Sequence, residues 1–395
     1  MKLISPHELW SIRACDTHCH HLTEEFFSSV SLYNLMQMTY VSWILPSQGD
    51  TPEGRKKYFE LMGANSYFYW WKRGVEALYG EGETLTPESW DRFDTRIKNA
   101  YKIPFHDIEI LKNACLYDDI LLDDYKCPGS DHTHPEIMRP IYRTDMFLQG
   151  YKKGVTDENG NDAYEQFENE PTSLDEYVIE TEKAISRAAA RGAVGLKTAI
   201  AYERSLEFEK DGRLLAERAF QNGCAAKEEI KGFGDFMMFE IAKIAARLNV
   251  PVQIHTGLGA LSGSRAIGLR DLIHMNPETK FDIFHASYPW CEDVLGLAHN
   301  YKNVYVDICW LPLISAEKAA SFLKEALELI DSGRIIWGCD TWTSEESMGA
   351  RLAAHEVIAD AVNCFIEKGR ISYELGMDIA EKILRTNAKR LFGLM

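Results

Sequence analysis

The residues with the clearest chemical potential are Asp16-Thr17-His18-Cys19-His20, a His-x-His pair close to the N-terminus. On a strand, residues i and i+2 share a face. Asp16, His18 and His20 are therefore expected to point together, with two imidazoles close enough to share a cation, while Cys19 points away and reads as core. Four further polar residues, Lys197, His255, His285 and Asp340, each stand at the end of a short apolar run. Neutral imidazole and carboxylate are the ligand set of zinc and related divalent ions, and a catalytic site keeps one position open for water. A single buried histidine is more often a hydrogen-bonded core residue than a ligand. Core packing gives no reason, however, to place one polar residue at the carboxyl end of strand after strand. The pattern reads as a metalloenzyme site.

Positioning these side chains requires a series of short strands. Strands are expected at about residues 12–20, 117–124, 139–145, 193–201, 250–255, 281–285, 304–309 and 335–340. In the fifth, Val250, Val252 and Ile254 share one face and His255 takes the other. In the eighth, Gly338 and Asp340 share a side, and the glycine is expected to leave room beneath the carboxylate. Residues 22–112 break the rhythm with helical patterns and many aromatics, and Tyr67-Phe68-Tyr69-Trp70-Trp71 reads as their packing hub. An insertion after a first strand emerges on the face where barrel enzymes build their sites, so it can act as a lid. Residues 150–170 read as a surface loop. Ser173-Leu174-Asp175-Glu176 and Thr343-Ser344-Glu345-Glu346 have the capping-box pattern of helix starts, the first helix ending at Gly192. A helix over 236–248 is expected to stop at Asn249. Strands alternating with helices predict an α/β fold, a (β/α)8 TIM barrel with a mainly helical insertion after the first strand, over residues 1–395 as one domain.

Composition sets the class. The 395 residues are 46% hydrophobic and 26% charged, ordinary for a globular protein with a large core. A net charge of −17 argues against nucleic acid or an anionic membrane as partner. A small-molecule substrate is expected, with a homo-oligomer left open. The first ten residues lack the signal-peptide pattern, and no stretch reaches the roughly 18 apolar residues of a membrane span. Nine scattered cysteines suit reduced thiols in the cytoplasm better than a disulfide framework.

The segments DTHCH, GLKTAIAYERSL, PVQIHTGLG, FDIFHASYP and IIWGCDTW together resemble the amidohydrolase superfamily, and within it the amidohydrolase-related branch. That branch includes TIM-barrel metal-dependent hydrolases, non-hydrolytic decarboxylases and relatives of uronate isomerase. The fourth-strand segment also resembles the amidohydrolase-like part of fungal and plant proteins fused to a glutamine synthetase-like domain. The resemblance spans about residues 10–25 and 115–395, and the helical insertion matches uronate isomerase in placement. It implies a divalent metal, Zn2+ foremost, held by His18, His20, His255 and Asp340. Asp340, His285 and Lys197 are implied as catalytic. In binuclear members a fourth-strand lysine is carboxylated and bridges two ions; here one ion is expected, and two if Lys197 is carboxylated. Thr-Gly-Leu-Gly after His255 and Thr341 after Asp340 depart from the pattern of adenosine-deaminase relatives, which makes purine deamination a poor fit.

Among substrate-binding candidates, Arg143 and Arg204 have the fork that grips a carboxylate, although each can equally pair with one of the many acids. Trp310 is placed at the rim and Asp307 inward on the seventh strand. Asp131-His132-Thr133-His134 is a second His-x-His, but it lies in a loop and reads as a decoy. The leading expectation is hydrolysis of an amide, lactone or ester bond in a small polar substrate, with His285 at the carbonyl and Asp340 moving the proton. Decarboxylation of an aromatic or unsaturated acid would call for an aromatic-lined pocket. Sugar-acid isomerisation would suit the insertion. A non-enzymatic scaffold is disfavoured by the intact ligand set. Fold alone decides none of these.

Overall fold

The computed structural model describes residues 2–222 and 225–395. Eight parallel strands lie in sequence order in one sheet: β1 Ala14–Cys19, β2 Tyr117–Leu122, β3 Met138–Arg143, β4 Gly195–Thr198, β5 Val252–Ile254, β6 Phe281–Ile283, β7 Val304–Asp307 and β8 Ile335–Ile336. With helices between them they form the expected (β/α)8 barrel. The register aligns Arg143 with Lys197, Lys197 with Gln253, and Gln253 with Asp282. In-register partners on parallel strands face the same side, so these four residues form one polar row. Leu196, Val252, Phe281 and Val304 form an apolar row beside it, each at most 2% exposed.

Several strands stop sooner than the sequence suggests. β6 ends at Ile283 and β8 at Ile336, so His285 and Asp340 lie beyond them and not on them. His285, Trp310 and Asp340 all have left-handed backbone, at φ 62°, 64° and 56°. L-residues adopt that region at a cost, and it is concentrated at functional positions. Strand parity therefore does not aim these three side chains; the turn does.

The insertion is helical as expected. Its longest helices are Pro52–Met62, Ser66–Tyr79 and Trp90–Ala100. Tyr67, Phe68, Trp70 and Trp71 are buried, as a packing hub should be, whereas Tyr69 is exposed. Helix Ser66–Tyr79 lies backbone to backbone against helix Ser344–Glu367. A Cβ on Gly74 would stand 2.3 Å from Glu345 O, and one on Gly349 2.4 Å from Trp70 O, so only glycine permits this approach. Both expected capping boxes are offset by one residue. Ser173 Oγ and Thr343 Oγ1 cap as predicted, but Glu176 accepts from Thr172 N and Glu346 from Trp342 N. The helix expected over 236–248 begins earlier, at Lys227, and ends at Leu248 with Asn249 in left-handed conformation.

Contacts divide the chain into two compact units. One comprises residues up to Ile120 with Ile308–Glu328 and Ile336–Ala388, and the other Leu121–Asp307 with Leu329–Ile335 and Lys389–Met395. Among the described residues no helix is long and apolar enough to cross a membrane, and eight cysteines are free thiols. Cys224 lies outside the described residues.

Candidate metal centre

In the first unit, β1 is held against the segment after β8 by backbone bonds from Thr17 N to Trp337 O (3.4 Å), Asp340 N to His18 O (2.8 Å) and His20 N to Thr341 O (2.9 Å). This pairing sets Asp340 opposite the His-x-His pair. Asp340 Oδ1 stands 3.6 Å from His18 Nε2 and 3.5 Å from His20 Nε2, and the imidazole centroids are 4.6 Å apart. These separations are long for hydrogen bonds. The two carboxylate–imidazole separations match the edge of a tetrahedron, about 3.4 Å, whose corners each lie about 2.1 Å from a central Zn2+. The three residues fit a divalent ion.

Asp16 does not join the imidazoles as parity suggested. Its Oδ1 accepts from His18 N (3.1 Å) and Cys339 N (2.8 Å), and its Oδ2 from Cys339 Sγ (2.6 Å). Burial pushes its carboxyl up to about 7 against those bonds. Asp16 thus ties β1 to the residue preceding Asp340. Gly338 also serves β1, since a Cβ there would lie 2.4 Å from Thr17 Oγ1 and 2.9 Å from His18 N. The space it leaves is for the neighbouring strand and not, as expected, for the Asp340 carboxylate.

An aromatic wall adjoins His20. Trp342 stacks on the imidazole at 5.7 Å and 23°. Tyr40 lies 4.5 Å from both Trp342 and Trp310, Trp43 is 5.6 Å from Trp342, and Tyr67 is 6.2 Å from Trp310. Glu346 fastens this wall, its Oε1 accepting from Tyr40 N (3.2 Å) and its Oε2 from Trp342 N (3.1 Å). Burial, aided by the charge of Asp340, pushes Glu346 up to about 8.

In the second unit, His255 and His285 form a pair. His255 Nε2 lies 2.6 Å from Leu258 O, and His255 Nδ1 lies 3.0 Å from His285 Nε2. A carbonyl only accepts, so Nε2 of His255 carries the proton and Nδ1 presents a lone pair. That tautomer, with the far nitrogen donating to a carbonyl, is the usual one for a metal-binding histidine. Lys197 is 1% exposed, with Nζ 3.5 Å from the centroid of Phe284. Beside it, Gln253 Nε2 donates to Asp282 Oδ2 (3.1 Å). Burial, then the charge of buried Asp307, raises the Asp282 carboxyl well above its ordinary range, against Lys197.

The two arginines have protein partners. Arg143 donates through Nε and Nη2 to Asp123, at 3.2 and 2.6 Å. Burial works against its charge, but Asp123 and Asp145 outweigh it and raise its pKa. Arg204 donates to Asp235, Ser205 O and Lys231 O. The second His-x-His does not converge: His132 pairs with Asp124 at 2.8 Å and His134 with Glu136 at 3.3 Å.

A family model described as Amidohydrolase matches residues 171–394. The chain belongs to the amidohydrolase family. A relative of this chain, protein fluG of Emericella nidulans, is 30% identical over 237 residues, covering 53% of this chain and 27% of fluG. The chain therefore spans little more than a quarter of that relative. Two solved structures share the amidohydrolase's fold at 16% identity. The glucuronate isomerase of Caulobacter crescentus has a TM-score of 0.76 over 98% of this chain and 94% of its own. The uronate isomerase of Thermotoga maritima has 0.74 over 99% and 98%.

Sequence reasoning passed over several residues around these amidohydrolase clusters. Glu346 was visible only as the acid of a capping pattern, and Asp123 and Asp145 only as the ends of strand-like runs. Tyr40 and Trp342 carried no signal beyond being aromatic.

Proposed function

We propose that this chain is a metal-dependent hydrolase acting on an amide, lactone or ester bond of a small substrate. The observation that supports it best is the position of Asp340 Oδ1, 3.5–3.6 Å from Nε2 of both His18 and His20. His18, His20 and Asp340 would hold one divalent ion, Zn2+ foremost. Such an ion supplies Lewis acidity and makes water nucleophilic near neutral pH. Asp340 takes the proton from the attacking water and returns it to the leaving group. His285 Nε2 donates to His255 Nδ1 and so fixes the orientation of that imidazole. Trp310 backs the aromatic wall. Arg143 and Arg204 position loops through their carboxylate partners, which is the reading their bonds favour over direct substrate contact. The free thiols among the described residues suit the reducing cytoplasm.

A second reading, sugar-acid isomerisation, is favoured by one observation: the likeness to two uronate isomerases runs through the insertion as well as the barrel. The experiment begins with metal content per chain of protein purified without chelators. Zinc-loaded protein is then assayed against a panel of amides, esters and lactones, and against D-glucuronate for ketose formation. About one ion with hydrolytic turnover supports the proposal. Ketose formation without hydrolysis would replace it with the second reading. Failure to take up any divalent ion would end both.

A further inference from the structure

Two aromatic rings, one from the insertion and one from the segment after β8, stand beside the metal-ligand candidates in a way that core packing does not account for. Tyr40, Tyr67 and Trp310 are 4%, 7% and 3% exposed and back the wall, whereas Trp43 is 60% exposed and Trp342 half-buried. Trp43 is next to Trp342, which stacks on His20. These two rings are therefore the accessible part of the wall. They are also held in place. Glu346 bonds the backbone of Tyr40 and Trp342. The Tyr58 hydroxyl donates to Val41 O (3.2 Å) and Leu45 O (2.9 Å), pinning the helix Tyr40–Ile44 that carries Trp43. An indole face kept open and rigid beside a metal-ligand candidate is suited to receive a planar ring by offset stacking.

We propose, resting on the metal-centre reading above, that Trp43 and Trp342 form the recognition face for an aromatic acyl substrate. Its ring lies against the two indoles, and its carbonyl or carboxylate end is directed toward His20. The insertion thereby contributes to specificity: Trp43 contacts the substrate from the added helices, and Trp342 from the segment after β8.

The test uses isothermal titration of full-length, zinc-loaded protein with 4-hydroxybenzoate and, separately, D-glucuronate as probes. It compares wild type, Trp43→Ala and Trp43→Phe. Trp43 is largely solvent-exposed, so its replacement leaves the fold intact. Trp43→Ala is expected to weaken 4-hydroxybenzoate about tenfold, the loss of one stacking partner, and Trp43→Phe to restore most of it. D-Glucuronate affinity is expected to be unmoved by either change. Equal affinity of wild type and Trp43→Ala for 4-hydroxybenzoate overturns the inference, as does binding of D-glucuronate alone or of neither probe. Metal content is measured on the same samples. One zinc per chain with Trp43-independent binding defeats this inference and leaves the metal centre standing. No zinc with Trp43-dependent binding does the reverse.

Discussion

His20 Nε2 lies 3.5 Å from Asp340 Oδ1, although His20 follows the first strand of the barrel and Asp340 the last. At that separation the pair gains little as a hydrogen bond but is well set to share a cation. Removing either donor leaves too few ligands. His20→Ala and Asp340→Asn are each expected to cut bound zinc about tenfold or more and to abolish turnover. Circular dichroism should show both folded. Unchanged metal content in either variant would refute the ligand assignment.

Gly338 lies close against β1. A methyl there would sit 2.4 Å from Thr17 Oγ1 and 2.9 Å from His18 N, so the strand pair must part. Gly338→Ala is expected to cost about 1–3 kcal/mol, as overpacking does, and to loosen the Asp340–His18 backbone bond at the same time. Urea unfolding and zinc affinity should therefore fall together. A loss of stability with zinc affinity intact would show that the carboxylate is placed by something other than this contact.

Much of the barrel was legible because most strands carry their own apolar run and several helices a start or stop signal. Ser173, Thr343 and Asn249 cap the helices that the sequence places beside them. The aim of the site residues was less legible, for a local reason. Parity holds only while the backbone is extended, and at His285, Trp310 and Asp340 it turns left-handed just past the strand. Side-chain partners were least legible of all. Nothing near Arg143 in sequence marks Asp123 as the acid that occupies its fork, because the pairing exists only once β2 and β3 are adjacent. Glu346 shows the same limit: its type and spacing predict a cap, yet the fold also uses it to fasten Tyr40.

Glu180 gives a pH dependence outside the candidate site. Burial raises its pKa, but Lys183 and the amides of Glu168 and Asn169 outweigh that and hold it at about 2. A carboxylate depressed in the folded state binds its proton more readily when unfolded. Its stabilisation is present above the ordinary value near 4.5 and is lost as pH falls through that value toward 2. Glu180→Gln should therefore destabilise the protein at pH 7 and do so progressively less as pH drops below 4.5. Denaturant titrations of both proteins at pH 7 and pH 3 measure this. An equal difference at the two pH values would show that the Glu180 charge does not contribute.

Lys197 decides between one metal ion and two. A bridging role requires its amine to be neutral long enough to react with carbon dioxide and then to carry a negative carbamate. Its Nζ instead stands 3.5 Å from the centroid of the Phe284 ring, and a ring face attracts a cation and repels an anion. The expected metal content is about one per chain whether or not bicarbonate is present during purification and loading. Lys197→Ala should retain that ion, because His18, His20 and Asp340 converge without it. Two ions per chain in bicarbonate, falling to one or none in Lys197→Ala, would mean that carbamate formation pulls Lys197 away from Phe284. The ring would then be a resting place for the uncarboxylated lysine and not its working position.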